Sequence, residues 1–283
     1  MSDISPAPAT VVAQALRLAR EAGLDRLDSE LLMAEVLARP RTWLLAHDTD
    51  PIDAQALARF MALVQRRANG EPAAYLLGHK EFFGLSLAVT PDVLVPRPDT
   101  EILVEWALDT LPLRGPGAQA DVLDLGTGSG AIALAIQQQR PQARVTAVDA
   151  SPGALGVAQA NAKNLQLPIE LLLGSWLEPV VGRRFDLIVS NPPYIAEGDP
   201  HMAALCHEPK QALTSGSDGL DDIRHIVEQA PPHLQPGGWL LFEHGWDQAE
   251  AVADLLRARG FAQVTSRLDL GGHQRCTGGQ TPK

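Results

Sequence analysis

The sequence is poor in cysteine: Cys206 and Cys276 are the only two in 283 residues. They form no C-x-x-C pair and are too few for a disulfide framework, which suits a reducing compartment. No run approaches the roughly 18 apolar residues needed to cross a bilayer. The opening Met1-Ser2-Asp3-Ile4-Ser5-Pro6 lacks the basic and apolar regions of a secretory signal. A cytoplasmic protein with no membrane partner is therefore expected. Basic residues are scarce as well, with Lys+Arg 23 against Asp+Glu 34 and a net charge of -11. That balance repels a phosphate backbone unless cations gather on one face, and no basic stripe is visible, so direct DNA binding is not expected. The histidines include no H-E-x-x-H, and His201, Cys206 and His207 lack a tetrahedral ligand set, so no metal is expected.

What is present is a globular composition, 45% hydrophobic and 20% charged, in a chain long enough for one large domain or two ordinary ones. Over the first 70 or so residues, apolar positions recur at helical spacing. Val11, Val12, Ala15, Leu16, Leu18 and Ala19 form one set, and Leu31, Leu32, Val36 and Leu37 a second. Leu57, Phe60, Met61 and Val64 form a third behind a candidate N-cap at Asp53. Such one-sided helices must pack on each other, which predicts a small bundle over 1–75 with a structural or docking role.

From Phe82 the period changes to two. Phe83, Leu85, Leu87 and Val89 alternate, and Val93-Leu94-Val95 follows a Pro91-Asp92 turn, so a β-hairpin linker is expected over 76–98. Arg97-Pro98-Asp99-Thr100-Glu101 then opens a helix carrying Ile102, Leu103, Trp106 and Ala107, and a Pro/Gly-rich stretch from Pro112 to Gly117 follows it.

The rest of a domain over 99–283 alternates strand and helix. Strands are expected at 121–125, 144–149, 169–173, 185–190 and 239–243, and helices at 131–139, 152–165, 220–229 and 247–259. Alternation of this kind predicts a doubly wound α/β fold, Rossmann-like, with ligands at the carboxyl ends of a parallel sheet. A closing pair of extended segments, 263–268 and 274–277, is expected to form a hairpin at the sheet edge.

Two motifs fall at the expected ligand end. Asp124-Leu125-Gly126-Thr127-Gly128-Ser129-Gly130-Ala131 joins a strand to a helix, where glycines admit close approach of a nucleotide and the helix start offers free N–H groups. Asp149 ends the next strand, about 20 residues on, where a carboxylate grips ribose hydroxyls. The spacing Gly126-x-Gly128-x-x-Ala131 also satisfies a dinucleotide fingerprint, so this loop by itself does not separate NAD from another adenosine cofactor. The second motif is Asn191-Pro192-Pro193-Tyr194, after the fourth strand. Two prolines remove two donors and hold the chain extended, so carbonyl oxygens and the Asn191 amide can accept from an incoming N–H₂ group, with the Tyr194 ring against its planar face.

A Gly-rich loop, an acidic end to the next strand and N-P-P-Y together resemble the class I S-adenosylmethionine-dependent methyltransferases that act on planar nitrogen. The chain is most similar to the HemK/PrmC family, the glutamine N5-methyltransferases of peptide chain release factors. That likeness rests also on Pro72-Ala73-Ala74-Tyr75-Leu76-Leu77-Gly78, Glu81-Phe82-Phe83-Gly84, Pro96-Arg97-Pro98-Asp99-Thr100-Glu101, Glu208-Pro209 with Ala212-Leu213, and Glu243-His244-Gly245. It implies that Gly126, Thr127, Gly128, Ser129, Gly130 and Asp149 hold S-adenosylmethionine, leaving S-adenosylhomocysteine as product, that Trp176 borders the adenine, and that Asn191 also borders the cofactor. It further implies that Asn191, Pro192, Pro193 and Tyr194 receive the glutamine of a class 1 release factor, with Asn191, Pro192 and Tyr194 catalytic. Amino-methylation of adenine or cytosine in nucleic acid uses the same kind of acceptor site and is the runner-up; an NAD-binding or non-catalytic adenosine-binding protein is a third reading. Near the end, Gly278-Gly279-Gln280 reproduces the substrate's own Gly-Gly-Gln triplet and is read as a coincidence in a short mobile tail.

Overall fold

The computed structural model describes residues 10–111 and 119–283, so the Pro/Gly-rich stretch from Pro112 to Gly117 and the opening six residues lie outside the described residues. The chain divides into two compact units, Met1–Gly78 and His79–Lys283.

The first unit contains the three expected helices, α1 (Val12–Glu21), α2 (Arg26–Leu37) and α4 (Ala54–Ala68), with two short ones, α3 (Arg41–Ala46) and α5 (Ala73–Leu77). The short helices span too few turns to show a periodic stripe. Their neighbours bury one face each, and Ala15, Ala19, Leu32, Met33 and Phe60 meet in a core closed to solvent. Caps set the helix starts: Asp53 accepts from the Ala56 amide at 2.8 Å, and Asp25 from the Asp28 amide at 2.7 Å.

The second unit opens with a hairpin, but not the one expected. Strands β1 (His79–Phe82) and β2 (Leu85–Ala88) pair antiparallel with Phe82 opposite Leu85. The turn is therefore Phe83-Gly84, both at positive φ (49° and 77°), the backbone of a tight primed turn that matches strand twist. The Pro91-Asp92 turn does not join two strands. Val93-Leu94-Val95 instead runs beside the 208 loop, where the Val95 amide donates to Glu208 at 3.1 Å. Nor does the hairpin stand apart as a linker, since Phe82, Leu85 and Leu87 share a core with Trp106, Ile132 and Leu134 of the second unit.

After α6 (Thr100–Thr110) the expected alternation follows: β3 (Asp121–Leu125), α7 (Ala131–Gln139), β4 (Arg144–Asp149), α8 (Pro152–Leu165), β5 (Glu170–Leu173), β6 (Phe185–Ser190), α9 (Asp221–Gln229), β7 (Leu234–Glu243) and α10 (Ala249–Ala258). The last hairpin is β8 (Ala262–Leu268) and β9 (Gln274–Gln280). Among the described residues these make a seven-stranded sheet in the order β5-β4-β3-β6-β7-β9-β8. Its first five strands are parallel, and β9 inserts antiparallel between β7 and the edge strand β8. Apolar clusters cover both faces, one containing α6 and α7 and the other α9 and α10.

The Gly-Gly-Gln triplet is not a tail. Gly278, Gly279 and Gln280 pair with Leu241, Leu240 and Trp239 inside the sheet, at the end of β7 remote from Glu243. The Gln280 amide donates to the Gly237 carbonyl at 2.7 Å and accepts from Gln263 at 2.9 Å. A Cβ on Gly278 would overlap the Leu241 side chain and lie 2.7 Å from the Leu240 carbonyl oxygen, so the absence of a side chain here serves close packing. Gly278→Ala is therefore expected to lose about 1–3 kcal/mol through overpacking. Gly156→Ala, on an exposed part of α8 with no atom within 4 Å of the added methyl, should gain about 0.5–1 kcal/mol. Urea unfolding of both variants checks the pair.

Candidate active site

Strand β3 lies between β4 and β6, and the chain departs from it in both directions. Beyond β3 it winds outward through β4 to β5, then returns to start β6 on the other side of β3. Adjacent strands whose connections part in this way leave their carboxyl ends uncovered, and the crevice there accepts ligands. Leu125 and Ser190 end the two strands in register, and Ser190 Oγ donates to the Leu125 carbonyl at 2.8 Å. Residues 126–130 and Asn191 are thereby set side by side at the mouth of the sheet.

One half of the cleft is lined by Gly126, Thr127, Gly128, Ser129, Asp149 and Trp176. The amides of Gly126 and Thr127 donate to the Val148 carbonyl at 2.9 and 3.1 Å, which ties the loop to β4. Asp149 accepts from the Gly128 amide at 2.9 Å and the Ser151 amide at 2.8 Å, and a carboxylate with two such bonds keeps lone pairs for ribose hydroxyls. Gly128 adopts φ +55°, and a Cβ added there meets no protein atom within 4 Å, so its bare backbone faces open cleft. Trp176 packs its ring over Gly126, where an added Cβ would come within 3.4 Å. A bare glycine, a carboxylate with spare acceptors and a flat indole fit an adenosine cofactor. Gly130 stands back from this lining: as the left-handed N-cap of α7 it packs against Leu134 and Ala158, so the structure places it in helix packing.

Beneath the loop, Asp124 is closed to solvent and accepts from Thr127 Oγ1 at 2.6 Å. Burial, helped by the charge of Asp149, pushes its carboxyl up to about 7, against the hydrogen bonds from Thr127 and the Ala133 amide.

The other half of the cleft is lined by Asn191, Pro193, Thr100, Arg97, Pro209 and Ala212. Asn191 Nδ2 donates to Thr100 Oγ1 at 3.2 Å. Pro192 is buried and Tyr194 half-buried, both outside the lining of this cleft. Burial and the neighbouring Glu243 charge raise the Tyr194 phenol above its ordinary range, so it stays protonated. Its backbone carbonyl accepts from Gln248 Nε2 at 3.0 Å, which holds the turn against the start of α10. Glu243 and His244 are both buried at the end of β7. His244 Nε2 and Thr277 Oγ1 lie 2.7 Å apart, and Nδ1 lies 2.8 Å from the Gly245 carbonyl, bonds that give it a packing role.

Sequence reasoning assigned no role to Arg97, Thr100 or Glu208. The buried carboxylate of Glu208 binds the Arg97 guanidinium as well as the Val95 amide, tying the 95–97 segment to the 208–212 segment within this half of the cleft. Asn161 of α8 braces the Gly-rich-loop half instead, bonded to the backbone N–H and carbonyl of Ala88 and to the Ser129 carbonyl. The signal for Arg97, Thr100 and Glu208 was present in the R-P-D-T-E and E-P motifs, whose polar side chains had no assigned partners. Among the described residues, no cluster of three or more His, Cys, Asp or Glu is placed to hold a metal, and no helix is long and apolar enough to cross a membrane.

Family models match both units: "Methyltransferase small domain" over residues 100–245 and "PrmC N-terminal domain" over residues 10–78. The chain is 52% identical over 265 residues to the release factor glutamine methyltransferase of Bordetella pertussis, covering 93% of this chain and 97% of that one. It is 52% identical over 258 residues to that of Pseudomonas aeruginosa, covering 90% and 92%. Among solved structures, a methyltransferase from Pyrococcus furiosus superposes with a TM-score of 0.55 at 21% identity over 71% of this chain and 91% of that one, a likeness of fold.

The buried Asp124 carries a pH dependence whose sign follows from its environment. A carboxyl raised from 3.8 to about 7 binds its proton more tightly folded than unfolded, so stability falls as pH rises through that window and levels off above it. Asp124→Asn does not titrate. Its stability relative to the parent should be about 3 kcal/mol more favourable at pH 8 than at pH 5, read from urea unfolding at both values.

Proposed function

As the chain belongs to the family of release factor glutamine methyltransferases, we propose that its cleft methylates the side-chain amide nitrogen of a glutamine presented by a class 1 peptide chain release factor. The enzyme is S-adenosylmethionine-dependent, and its target is N5 of the glutamine in the factor's Gly-Gly-Gln loop. The observation that carries this reading is the register of Leu125 with Ser190, which puts a nucleotide-type loop and an acceptor-rich N-P-P turn in one crevice.

Asp149 and the 126–129 backbone would hold the cofactor, with Trp176 against its adenine; when bound, it supplies an electrophilic methyl on sulfur. An amide nitrogen is a poor nucleophile because its lone pair is delocalised into the carbonyl. The residues of the second half of the cleft therefore work by orientation. Asn191 Oδ1 at the cleft wall and the carbonyl of the next residue, Pro192, set just behind that wall, accept the two N–H bonds of an inserted glutamine amide, which turns the lone pair toward the methyl side of the cleft. As positive character develops on nitrogen, those two oxygens bind it more strongly than in the ground state; the methylated nitrogen then carries one proton too many, acidic enough to pass to water, so no general base is needed. Pro193 stiffens the turn, and Tyr194, outside the cleft lining, steadies it through the bond from Gln248 to its carbonyl. The helical first unit docks the partner, since a single glutamine side chain carries too little surface to identify a protein.

Two outcomes test this. Asn191→Ala should leave calorimetric cofactor affinity unchanged and lower kcat about 10²–10³-fold, whereas Asp149→Ala should weaken cofactor binding by about 1.5–3 kcal/mol. A release factor with Gly-Gly-Gln should gain one methyl group by intact-mass spectrometry and its Gln→Glu version none, because a carboxylate offers the acceptors no N–H. Methyl groups on DNA beside an unmodified release factor would overturn the protein substrate.

A further inference from the structure

An asparagine amide is nearly symmetric in shape and opposite in function at its two ends: Oδ1 accepts and Nδ2 donates. A site that receives an N–H₂ group works only with Oδ1 turned toward it. Nothing in the backbone of Asn191 makes that choice, and the side chains behind it do. Thr100, at the first position of α6, is 4% exposed, and Glu243, at the last position of β7, is 1% exposed. β6 and β7 are parallel neighbours with Ser190 opposite Phe242, so Asn191 and Glu243 leave the sheet side by side. The Glu243 carboxylate accepts from both the Thr100 hydroxyl and the Asn191 amide, and Asn191 Nδ2 also faces Thr100 Oγ1 at 3.2 Å.

A carboxylate can only accept, and that property sets the direction of every bond in the group. Thr100 must donate to Glu243, which leaves its oxygen to accept from Asn191. The Nδ2 hydrogens of Asn191 are thereby engaged by Thr100 and Glu243, and Oδ1 is the end left for a ligand. We propose that Glu243, acting with Thr100, is a positioning residue that holds the Asn191 amide with Oδ1 toward the substrate nitrogen. This rests on the acceptor role given to Asn191 above.

The negative charge of Glu243 also strengthens the bonds that keep Nδ2 turned away, since charge-assisted hydrogen bonds are about twice as strong as neutral ones. Burial pushes the Glu243 carboxyl up to about 7; Asp99 adds to this, while Thr100, Asn191 and Arg275 oppose it. The Tyr194 phenol and the Cys276 thiol also face it, and both are held protonated, in part by its charge. Arg275 is in turn shared between Asp99 at 3.9 Å and Asp269 at 3.3 Å. Below about pH 7 the proton goes to Glu243 Oε2, which has no hydrogen-bond partner among the described residues, and the bonds at Oε1 lose their charge assistance.

The test is a double-mutant cycle of the full-length enzyme with Glu243→Gln, Asn191→Ala and both together, assayed with S-adenosylmethionine and release factor from pH 6 to 9. The parent should lose kcat below about pH 7; Glu243→Gln should keep cofactor affinity and KM within about threefold, lower kcat about 10–100-fold, and lack that fall. In the Asn191→Ala background it should have no further effect, because it acts through that amide. Thr100→Val, which keeps the shape and removes the hydroxyl, should give a smaller loss of kcat with the same non-additivity. Parent-like kcat in Glu243→Gln, multiplicative losses in the double variant, or loss of cofactor affinity in step with kcat would each overturn the inference. Parent-like kcat in Asn191→Ala would instead remove the acceptor reading beneath it.

Discussion

The functional half of this protein depends on one hydrogen-bonded seam, the pairing of β3 with β6. Leu125 and Ser190 end these strands level with each other, and the chain departs from β3 and arrives at β6 on opposite sides. Connections that part in this way leave the carboxyl ends of the two strands uncovered, so backbone groups there are available to a ligand. The Gly-rich loop, Asp149 one strand away on one side and Glu243 one strand away on the other are all positioned by that register. A slip of one residue in the seam would turn each side chain to the opposite face of the sheet.

Around the seam the protein keeps carboxylates where solvation is poor. Asp124 and Glu243 are both buried and both raised to about 7, a state that opposes folding at neutral pH. Among the described residues neither has a direct cation partner; hydroxyls and amides hold them instead. This suits groups whose task is to orient neighbours, because an ion pair would spend the acceptor capacity that Thr127, Thr100 and Asn191 use. Glu208 differs. Its cation, Arg97, comes from 111 residues away in the chain, so there a buried carboxylate joins two segments of one wall.

The alternation of strands and helices was legible in the sequence, because buried parallel strands are short apolar runs and their helices carry one-sided stripes. Strands 121–125, 144–149 and 185–190 and helices 131–139 and 152–165 form with those limits. The first hairpin was not legible. Its turn needs positive φ at Phe83, a conformation that propensity disfavours for a bulky residue, so Pro91-Asp92 was the more obvious turn. The Gly-Gly-Gln triplet was misread for a related reason: glycine-rich ends resemble tails, and only the approach of Leu240 and Leu241 shows that β9 needs glycine to lie flat.

Of the site, the cofactor half was readable locally, since a Gly-rich loop and a carboxylate about 20 residues on keep their spacing along the chain. The sequence by itself determined which chemical groups are available: an acceptor-rich N-P-P turn, a bare-backbone loop, a set of acidic motifs. What it left open was which of them touch. Thr100, Asn191 and Glu243 are far apart in the chain and meet only because β7 is the neighbour of β6 and α6 packs beside them. Strand order sets those contacts, and strand order comes from the handedness of crossovers and the burial of two apolar faces, properties of the whole sheet that no local run of residues contains.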